Sequence, residues 1–404
     1  MNHQLSRRYF LQASTVMALS QLLGGCGSEA VTQILFLENS VPPQLIRDFR
    51  KSFSQLGKVE FKPQTYIPQI FDSLFALQYH KDQEQQIKKT FDRLLNRSEV
   101  YPNLTTLGDS WLSTAIKQKL IQPLSSKYLS NWQNLPPSWQ KLVLRNPQGD
   151  LDSNGAIYAA PYRWGSAVIA YRRDKLKPLN ITIKDWQDLW RPELRDRISL
   201  LDSPREVIGL TLKKLGQSYN TDNLDSVSEL ETELLALHRQ AKLYSSDHYL
   251  EPLVLGDAWA AVAWSTDILS LTQRYPEIEF IIPQSGTSLW ADLWVKPQLP
   301  QAQLVADSET DITADKEASK GIIEEWIDYC WQPKTATQIS LFTNGVSPIL
   351  ANSQSIGIPP NLQNNVWLNS PVLNSDKSEF LLPLAPAAEK QYRDLWLKVR
   401  QPDV

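Results

Sequence analysis

The feature of this chain that most constrains its fold is a repeated alternation of apolar, strand-like segments with amphipathic, helical ones. The strand-like segments fall at residues 32–37, 59–62, 104–108, 166–171, 198–202, 259–264, 279–283 and 289–296. Helical patterns lie between or after them, at residues 42–49, 68–97, 111–116, 183–190, 203–216, 317–341 and 387–400. Strands that alternate with helices predict an α/β fold with a largely parallel sheet.

The length and the cysteine content limit how such a chain reaches stability. Its 404 residues exceed what one hydrophobic core usually supports, so two lobes are expected. The only cysteines are Cys26 and Cys330. If Cys26 is modified, no intramolecular disulfide is available, and packing must supply the stability. Of the 14 tryptophans, we expect most in the core and some along a wet cleft.

The N-terminus carries two export signals. Residues 6–11 read Ser-Arg-Arg-Tyr-Phe-Leu, the form that the twin-arginine translocon uses to export folded proteins. The apolar segment that follows is too short and too polar for a transmembrane helix, and it ends in the lipoprotein-box sequence Leu23-Gly24-Gly25-Cys26. We therefore expect a signal peptide over residues 1–25, a lipid on Cys26, a tether over 26–31, and a periplasmic protein anchored to the inner membrane. The alternative is a chance cysteine beside an ordinary cleavage site.

The charge balance argues against a nucleic-acid partner. Removing residues 1–25 takes Arg7 and Arg8 from the 41 basic residues and nothing from the 44 acidic ones, which leaves a net charge of −5. Nucleic-acid binding would require a basic face. The expected product is a mildly acidic, soluble body outside the cytoplasm.

Three runs of residues give the chain a specific resemblance. They are residues 185–193 (DWQDLWRPE), 201–207 (LDSPREV) and 214–221 (KLGQSYNT). Shorter segments fall in the matching order, at residues 108–111, 121–124, 161–165 and 290–292. From about residue 32 to its C-terminus, the chain resembles the spermidine/putrescine-binding proteins, which are the solute-binding proteins of polyamine ABC importers. No single segment carries this resemblance; the ordered set does.

The resemblance implies a two-lobed α/β fold of the periplasmic-binding-protein type II, with a cleft between the lobes. One lobe would hold residues 32–163 and 292–346, and the other residues 164–291 and 347–404. A small, polyamine-like cation would select the closed state by touching both lobes. An ABC permease would distinguish the open form from the closed one, which converts binding into transport. The protein is expected to be a monomer that its lipid anchor holds near that permease.

Trp290 and Asp292 match the cleft pair of the family. On a strand, residues 290, 292 and 294 point to one face. An acid beside indoles suits a protonated amine, through charge-assisted hydrogen bonds and cation–π attraction. Trp294 has no counterpart in the family's site and is expected to pack in the core. The alternative is that Asp292 pairs with a neighbouring arginine beside two structural tryptophans.

Three further residues match ligand-contacting positions of the family. Glu206 matches an acid that grips an ammonium group, although Ser203-Pro204-Arg205-Glu206 also fits a helix capping box. Trp264 matches a second indole wall, with a core tryptophan as the alternative. Ser246 matches a cleft hydroxyl.

Other positions depart from the family's pattern. The segment at residues 37–40 (LENS) replaces Trp-Thr-x-Tyr, residues 108–110 (GDS) replace Ser-Thr-Tyr, Ser203 replaces an acid, and Val346 falls near a late tyrosine. The aromatic clamp of the first lobe is therefore expected to be missing. Glu38 and Asp109 add carboxylates near that place, which predicts an anionic cleft suited to a short, polar cation.

Three classes of function follow. The leading one is a lipid-anchored receptor for a polyamine or a related small cation. The second is a receptor of the same fold for another amine, or for an anion at the helix that begins at Ser203, or a sensor rather than a transport component. The third is an enzyme or a structural lipoprotein. We expect no enzyme, cofactor or metal, because the four histidines lack catalytic or metal-binding spacing.

Overall fold

The computed structural model describes residues 31–79, 102–298, 313–351 and 357–401. The strands are β1 (Val31–Leu37), β2 (Lys58–Gln64), β3 (Leu104–Gly108), β4 (Ile121–Gln122), β5 (Leu144–Arg145), β6 (Ala156–Ile157), β7 (Ala160–Arg172), β8 (Ile198–Leu200), β9 (Ala241–Tyr244), β10 (Ala260–Trp264), β11 (Ile278–Ile281), β12 (Ser288–Pro297) and β13 (Glu379–Phe380). The α-helices are α1 (Pro43–Ser52), α2 (Ile67–Tyr79), α3 (Asp109–Lys117), α4 (Pro137–Val143), α5 (Arg173–Leu176), α6 (Pro204–Lys214), α7 (Leu230–His238), α8 (Glu251–Leu255), α9 (Ser265–Thr272), α10 (Thr313–Cys330), α11 (Pro333–Phe342), α12 (Val366–Asn369) and α13 (Pro386–Arg400). The expected signal peptide, Cys26 and residues 80–97 lie outside the described residues.

One sheet runs through the molecule in the strand order β2-β1-β3-β12-β7-β10-β8-β9. The parallel strands β1, β2 and β3 form one end, which we call the first half of the sheet. The parallel strands β8, β9 and β10 form the other end, the second half. Between them lie β7 and β12, which pair antiparallel with each other and with their neighbours. The sheet is therefore mixed, and the expectation of a largely parallel one was wrong because the two long central strands run against their neighbours.

The two halves are joined where β7 and β12 cross between them. Trp290 pairs with Gly165 and Asp292 with Arg163, and the register shifts between Asp292 and Leu293. A third segment meets them there, because Val346 forms a bridge with Trp164 in which each N–H donates to the other's carbonyl, at 2.8 and 2.9 Å. This convergence of three segments gives the molecule its two-lobed α/β form.

Trp294 lies just beyond the register shift in the pairing of β12 with β7. Trp294 is fully buried, stacks on Tyr162 with ring centroids 4.4 Å apart, and meets Trp326 edge-on at 5.8 Å. Trp294 therefore packs in the core, as expected. The irregularity falls on β7, where Tyr162 is the extra residue between the pairs Asp292–Arg163 and Leu293–Pro161, while β12 keeps an unbroken register with β3.

Prolines set several helix boundaries. Pro43 lies at the start of α1, as predicted, because its missing N–H costs nothing there. The helix expected over residues 317–341 is two helices, α10 and α11, because Pro333 begins a new one. The segment around residues 183–190 forms a 3₁₀ helix, Trp186–Trp190, with Asp185 and Asp188 as a capping box. Within the described ranges, no helix combines the length and apolar character needed to span a membrane.

Candidate ligand-binding site

A cavity of about 460 Å³ lies where the two halves of the sheet meet, and we call it the central cavity. The first half contributes residues at or just after the carboxyl ends of β1, β2 and β3. The second half contributes residues at or just after the carboxyl ends of β8, β9 and β10. The carboxyl edge of parallel strands is where α/β proteins commonly bind ligands. The lining comprises Leu37, Thr65–Pro68, Gly108–Trp111, Arg163, Ser203, Ser246, Asp247, Trp264, Thr266, Asp267 and Trp290–Asp292.

A second cavity, which we call the adjoining pocket, also measures about 460 Å³. It shares Asp109, Ser110, Ser203 and Trp264 with the central cavity, and its far wall is built from α13 and the segment before it. Of the five ligand-contacting residues expected from the sequence, Trp290, Asp292, Trp264 and Ser246 line the central cavity, whereas Glu206 lines the adjoining pocket. The structure thus brings four of the five together and places the fifth next to them.

Asp292 forms a buried ion pair with Arg163. The guanidinium Nε and Nη2 lie 2.7 and 2.6 Å from Asp292 Oδ2, and Nη1 donates to the Thr343 carbonyl at 3.2 Å. The guanidinium carbon also lies 5.6 Å from the centre of the Trp290 ring. Burial raises the pKa of Asp292, and the ion pair with Arg163 opposes that rise. The cation that Trp290 and Asp292 hold in this structure is therefore Arg163, the arrangement weighed above as the alternative.

Trp290 depends on a glycine for its position. Gly165 faces it across the β7–β12 pair. A Cβ on Gly165 would collide with the Trp290 indole and with Ser265 Oγ. Gly165 thus provides the space in which the indole lies against the backbone of β7.

Glu206 is almost fully buried near the start of α6. Ser288 Oγ donates to its Oε2 at 2.6 Å. The capping box considered for this segment is not formed, because the Ser203 side chain makes no cap hydrogen bond. Burial raises the pKa of Glu206 to about 7, and the charge of Asp109 contributes to the rise. A carboxylate in this state gains strongly from a nearby cation.

Asp109, the first residue of α3, is the carboxylate at the junction of the two cavities. Its side chain is 9% exposed, and the Ala291 N–H donates to its Oδ1 at 3.0 Å. Burial raises the pKa of Asp109 to about 7, and the charge of Asp292 contributes. In the sequence, Asp109 stands directly after an apolar strand and at the start of a helix, where the helix dipole favours negative charge.

Trp264 and Ser246 lie on the second-half side of the central cavity. Trp264 ends β10 and is half-buried, and its backbone N–H donates to Tyr249 Oη at 3.3 Å. Ser246 is exposed at the cavity margin. The neighbouring His248 is exposed and lies 2.9 Å from Glu251, so it forms a surface pair.

The first half supplies aromatic side chains that the sequence comparison missed. Tyr66 and Trp111 line the central cavity, and Trp111 packs on Phe71 with ring centroids 4.4 Å apart. The clamp expected to be missing concerned residues 37–40 and 108–110, which carry no aromatic side chain here, whereas Tyr66 and Trp111 supply aromatic surface from neighbouring positions. Leu37 lines the cavity, whereas the adjacent Glu38 is exposed and is not part of the lining.

The side chains of the central cavity suit a cation. Aromatic surface comes from Tyr66, Trp111, Trp264 and Trp290, and the charged lining consists of four aspartates and one arginine. Aromatic faces and carboxylates are the groups that bind an ammonium ion in proteins. Across the described ranges, no cluster of histidine, cysteine and acidic side chains has the geometry to hold a metal ion.

Comparison with known proteins identifies the family. A family model described as "Bacterial extracellular solute-binding protein" matches residues 101–365. The chain belongs to this family. A spermidine/putrescine-binding periplasmic protein of Salmonella typhimurium is 28% identical over 219 residues, which cover 52% of this chain and 60% of the relative. The putrescine-binding periplasmic protein PotF of Escherichia coli is 29% identical over 210 residues, which cover 48% and 55%. The chain thus spans about 60% of the length of the curated relatives it matches.

Solved structures support the two-lobed fold. The spermidine/putrescine ABC transporter substrate-binding protein PotD of Streptococcus pneumoniae superposes with a TM-score of 0.68 at 17% identity, covering 92% of this chain and 98% of that one. The TpPotD lipoprotein of Treponema pallidum superposes with a TM-score of 0.63 at 15% identity, covering 92% and 99%. The solute-binding fold thus extends over most of this chain.

Proposed function

We propose that this solute-binding protein is the receptor of an ABC importer and binds a polyamine or a related small cation in the central cavity. The observation that carries the proposal is the cavity itself, in which aromatic walls surround more acids than bases. The names of the relatives, which bind spermidine and putrescine, agree with that chemistry. The excess of aspartates disfavours an anion as the ligand.

The proposal assigns roles to the five residues identified from the sequence. Trp290 and Trp264 offer indole faces to the methylene groups and the ammonium of the ligand. Ser246 offers a hydroxyl at the cavity margin, and Glu206 contributes negative charge. Asp292, whose charge Arg163 balances, holds the guanidinium group over Trp290.

Closure follows from where the cavity lies. We place one lobe at residues 32–163 and 292–346 and the other at 164–291 and 347–404. Bending near the crossing of β7 and β12 would then move one wall of the cavity against the other. A ligand that touches both walls stabilises the closed form, which the permease recognises before it takes the ligand.

The cellular location is part of the same proposal. Export by the twin-arginine pathway and a lipid on Cys26 would hold a monomeric receptor at the periplasmic face of the inner membrane, beside its permease. Family membership agrees with a location outside the cytoplasm.

A thermal-shift panel on the mature chain tests the proposed function. The panel contains putrescine, cadaverine, spermidine, monoamines, quaternary amines, amino acids and oxyanions. A ligand at about 100 times its dissociation constant adds about 2.7 kcal/mol to the free energy of unfolding. We expect stabilisation by one or more of the amines and none by oxyanions. Stabilisation by oxyanions alone would contradict the proposal.

A further inference from the structure

The four aspartates of the central cavity differ in how far their charge is already compensated. Asp292 is paired with Arg163, and Asp267 accepts a hydrogen bond from Tyr249 at 2.5 Å. Asp247 is exposed, so water screens its charge. Asp109 is buried, and among the described residues no lysine or arginine nitrogen lies within 4.0 Å of its carboxylate.

A buried carboxylate without a counter-ion is costly, because burial removes its hydration and backbone hydrogen bonds replace only part of it. A cationic ligand that binds such a carboxylate offsets part of this desolvation free energy. Arg163 already occupies the place between Asp292 and Trp290, so an ammonium group gains less from Asp292 than from Asp109. The Ala291 N–H fixes the Asp109 carboxylate at the cavity wall.

We propose that Asp109 is the principal ammonium-binding residue of the central cavity, in place of Asp292, whose charge Arg163 neutralises. This inference rests on the function proposed above. Asp292 then acts as a positioning residue that holds Arg163 over Trp290. Asp109 also lines the adjoining pocket, where Glu206 is the other buried acid, so a second ammonium group of a short diamine would meet Glu206.

The charges around Asp109 add a pH dependence to this assignment. Asp292 and Glu206 are the acids whose charges act on it. The bases around it are Arg163 in the central cavity, Lys117, Arg205 and Arg393 in the adjoining pocket, and Arg145, whose charge acts from beyond ion-pair distance. Burial raises the pKa of Asp109 to about 7, so the empty site is partly protonated at neutral pH. A bound ammonium group lowers that pKa. Binding should therefore release protons and strengthen from pH 6 to pH 8.

The test is calorimetric titration of putrescine and of a monoamine, butylamine, into the mature chain. It compares wild type with Asp109→Asn, Asp292→Asn, Glu206→Gln and Asp257→Asn. Asp257 is exposed and outside both cavities, so its variant controls for the loss of one negative charge. We expect Asp109→Asn to weaken the binding of both ligands at least about 30-fold. Glu206→Gln should weaken the binding of putrescine more than that of butylamine, and the affinities of Asp257→Asn should stay within threefold of wild type.

Titrations in two buffers of different ionisation enthalpy should show proton release by wild type and less by Asp109→Asn.

The outcomes separate the two proposals. Absence of binding by every amine of the panel to wild type would overturn the receptor function and this assignment with it. Binding to wild type with Asp109→Asn within threefold would overturn the Asp109 assignment alone, and a large loss in Asp292→Asn would then return the role to Asp292. If Asp109→Asn does not fold, Asp109→Ser replaces it. Binding without proton release by wild type also counts against Asp109.

Discussion

Arg163 and Asp292 form a buried ion pair in which two guanidinium nitrogens converge on a single carboxylate oxygen, at 2.7 and 2.6 Å. The two residues face each other on the strands that join the halves of the sheet. The pair is at once part of the cavity wall and part of the crossing region, since Arg163 also donates to the Thr343 carbonyl. The stability of the empty protein and the electrostatics of the site therefore depend on the same contact.

Asp292→Asn should destabilise the empty protein by about 3 kcal/mol, because it leaves the Arg163 charge buried without a partner. The double variant Arg163→Met with Asp292→Leu should recover most of that loss, since it removes both charges. Chemical denaturation of the ligand-free proteins measures both. Wild-type stability in the single variant would show that the ion pair is not structural.

The empty protein should be more stable at pH 5.5 than at pH 7.5. Burial raises the pKa of Asp109 and of Glu206 to about 7, so between about pH 4 and pH 7 the folded state holds protons that the unfolded state has released. Each group then removes up to about 1.4 kcal/mol of stability per pH unit as the pH rises. His238, whose pKa burial lowers, acts in the opposite direction.

Asp109→Asn isolates that contribution, because it removes one of the two carboxylates and leaves His238 in place. Melting temperatures of both proteins across this pH range measure the effect. We expect a smaller decline in Asp109→Asn than in wild type. An identical decline in the two proteins would exclude Asp109 as its source.

Gly165→Ala should weaken ligand binding and lower stability, because the new Cβ displaces the Trp290 indole and Ser265. Gly321→Ala is the matched control: Gly321 lies within α10, and a Cβ there would meet no atom within 4 Å. The stability of Gly321→Ala should equal that of wild type or exceed it by up to about 1 kcal/mol, because alanine favours the helical conformation more than glycine does. Denaturation and calorimetric titration of both variants check this. If Gly165→Ala and Gly321→Ala have the same stability and ligand affinity, the Trp290 indole does not need the space at Gly165.

Cys26→Ser should release the exported protein from the membrane fraction, because no lipid can then be attached. Changing Arg7 and Arg8 to lysine should retain the protein in the cytoplasm with its signal peptide uncleaved. Cell fractionation followed by mass spectrometry of the N-terminus checks both changes. A Cys26→Ser protein with its signal peptide removed that stays with the membrane would speak against the lipid anchor.

Much of the secondary structure could be predicted from the sequence, because apolar periodicity and proline act locally. The strands β1, β2 and β3 lie within one or two residues of the expected segments, and α1 begins at the predicted proline. The direction of the central strands was not predictable in this way. It depends on pairing between segments far apart in the chain, such as β7 with β12.

By itself, the sequence determined the α/β fold class, the resemblance to this family, and the presence of an indole and an acid two residues apart in β12. Tertiary structure alone decided which groups neutralise one another. It brought Arg163 to Asp292 across 129 residues of chain and Asp109 to the Ala291 N–H across 182. A charge is compensated by what lies near it in space, and burial sets how much that neighbour counts. For that reason the sequence pointed to Asp292, whereas the folded chain leaves Asp109 as a buried acid of the cavity with no lysine or arginine among the described residues within ion-pair distance.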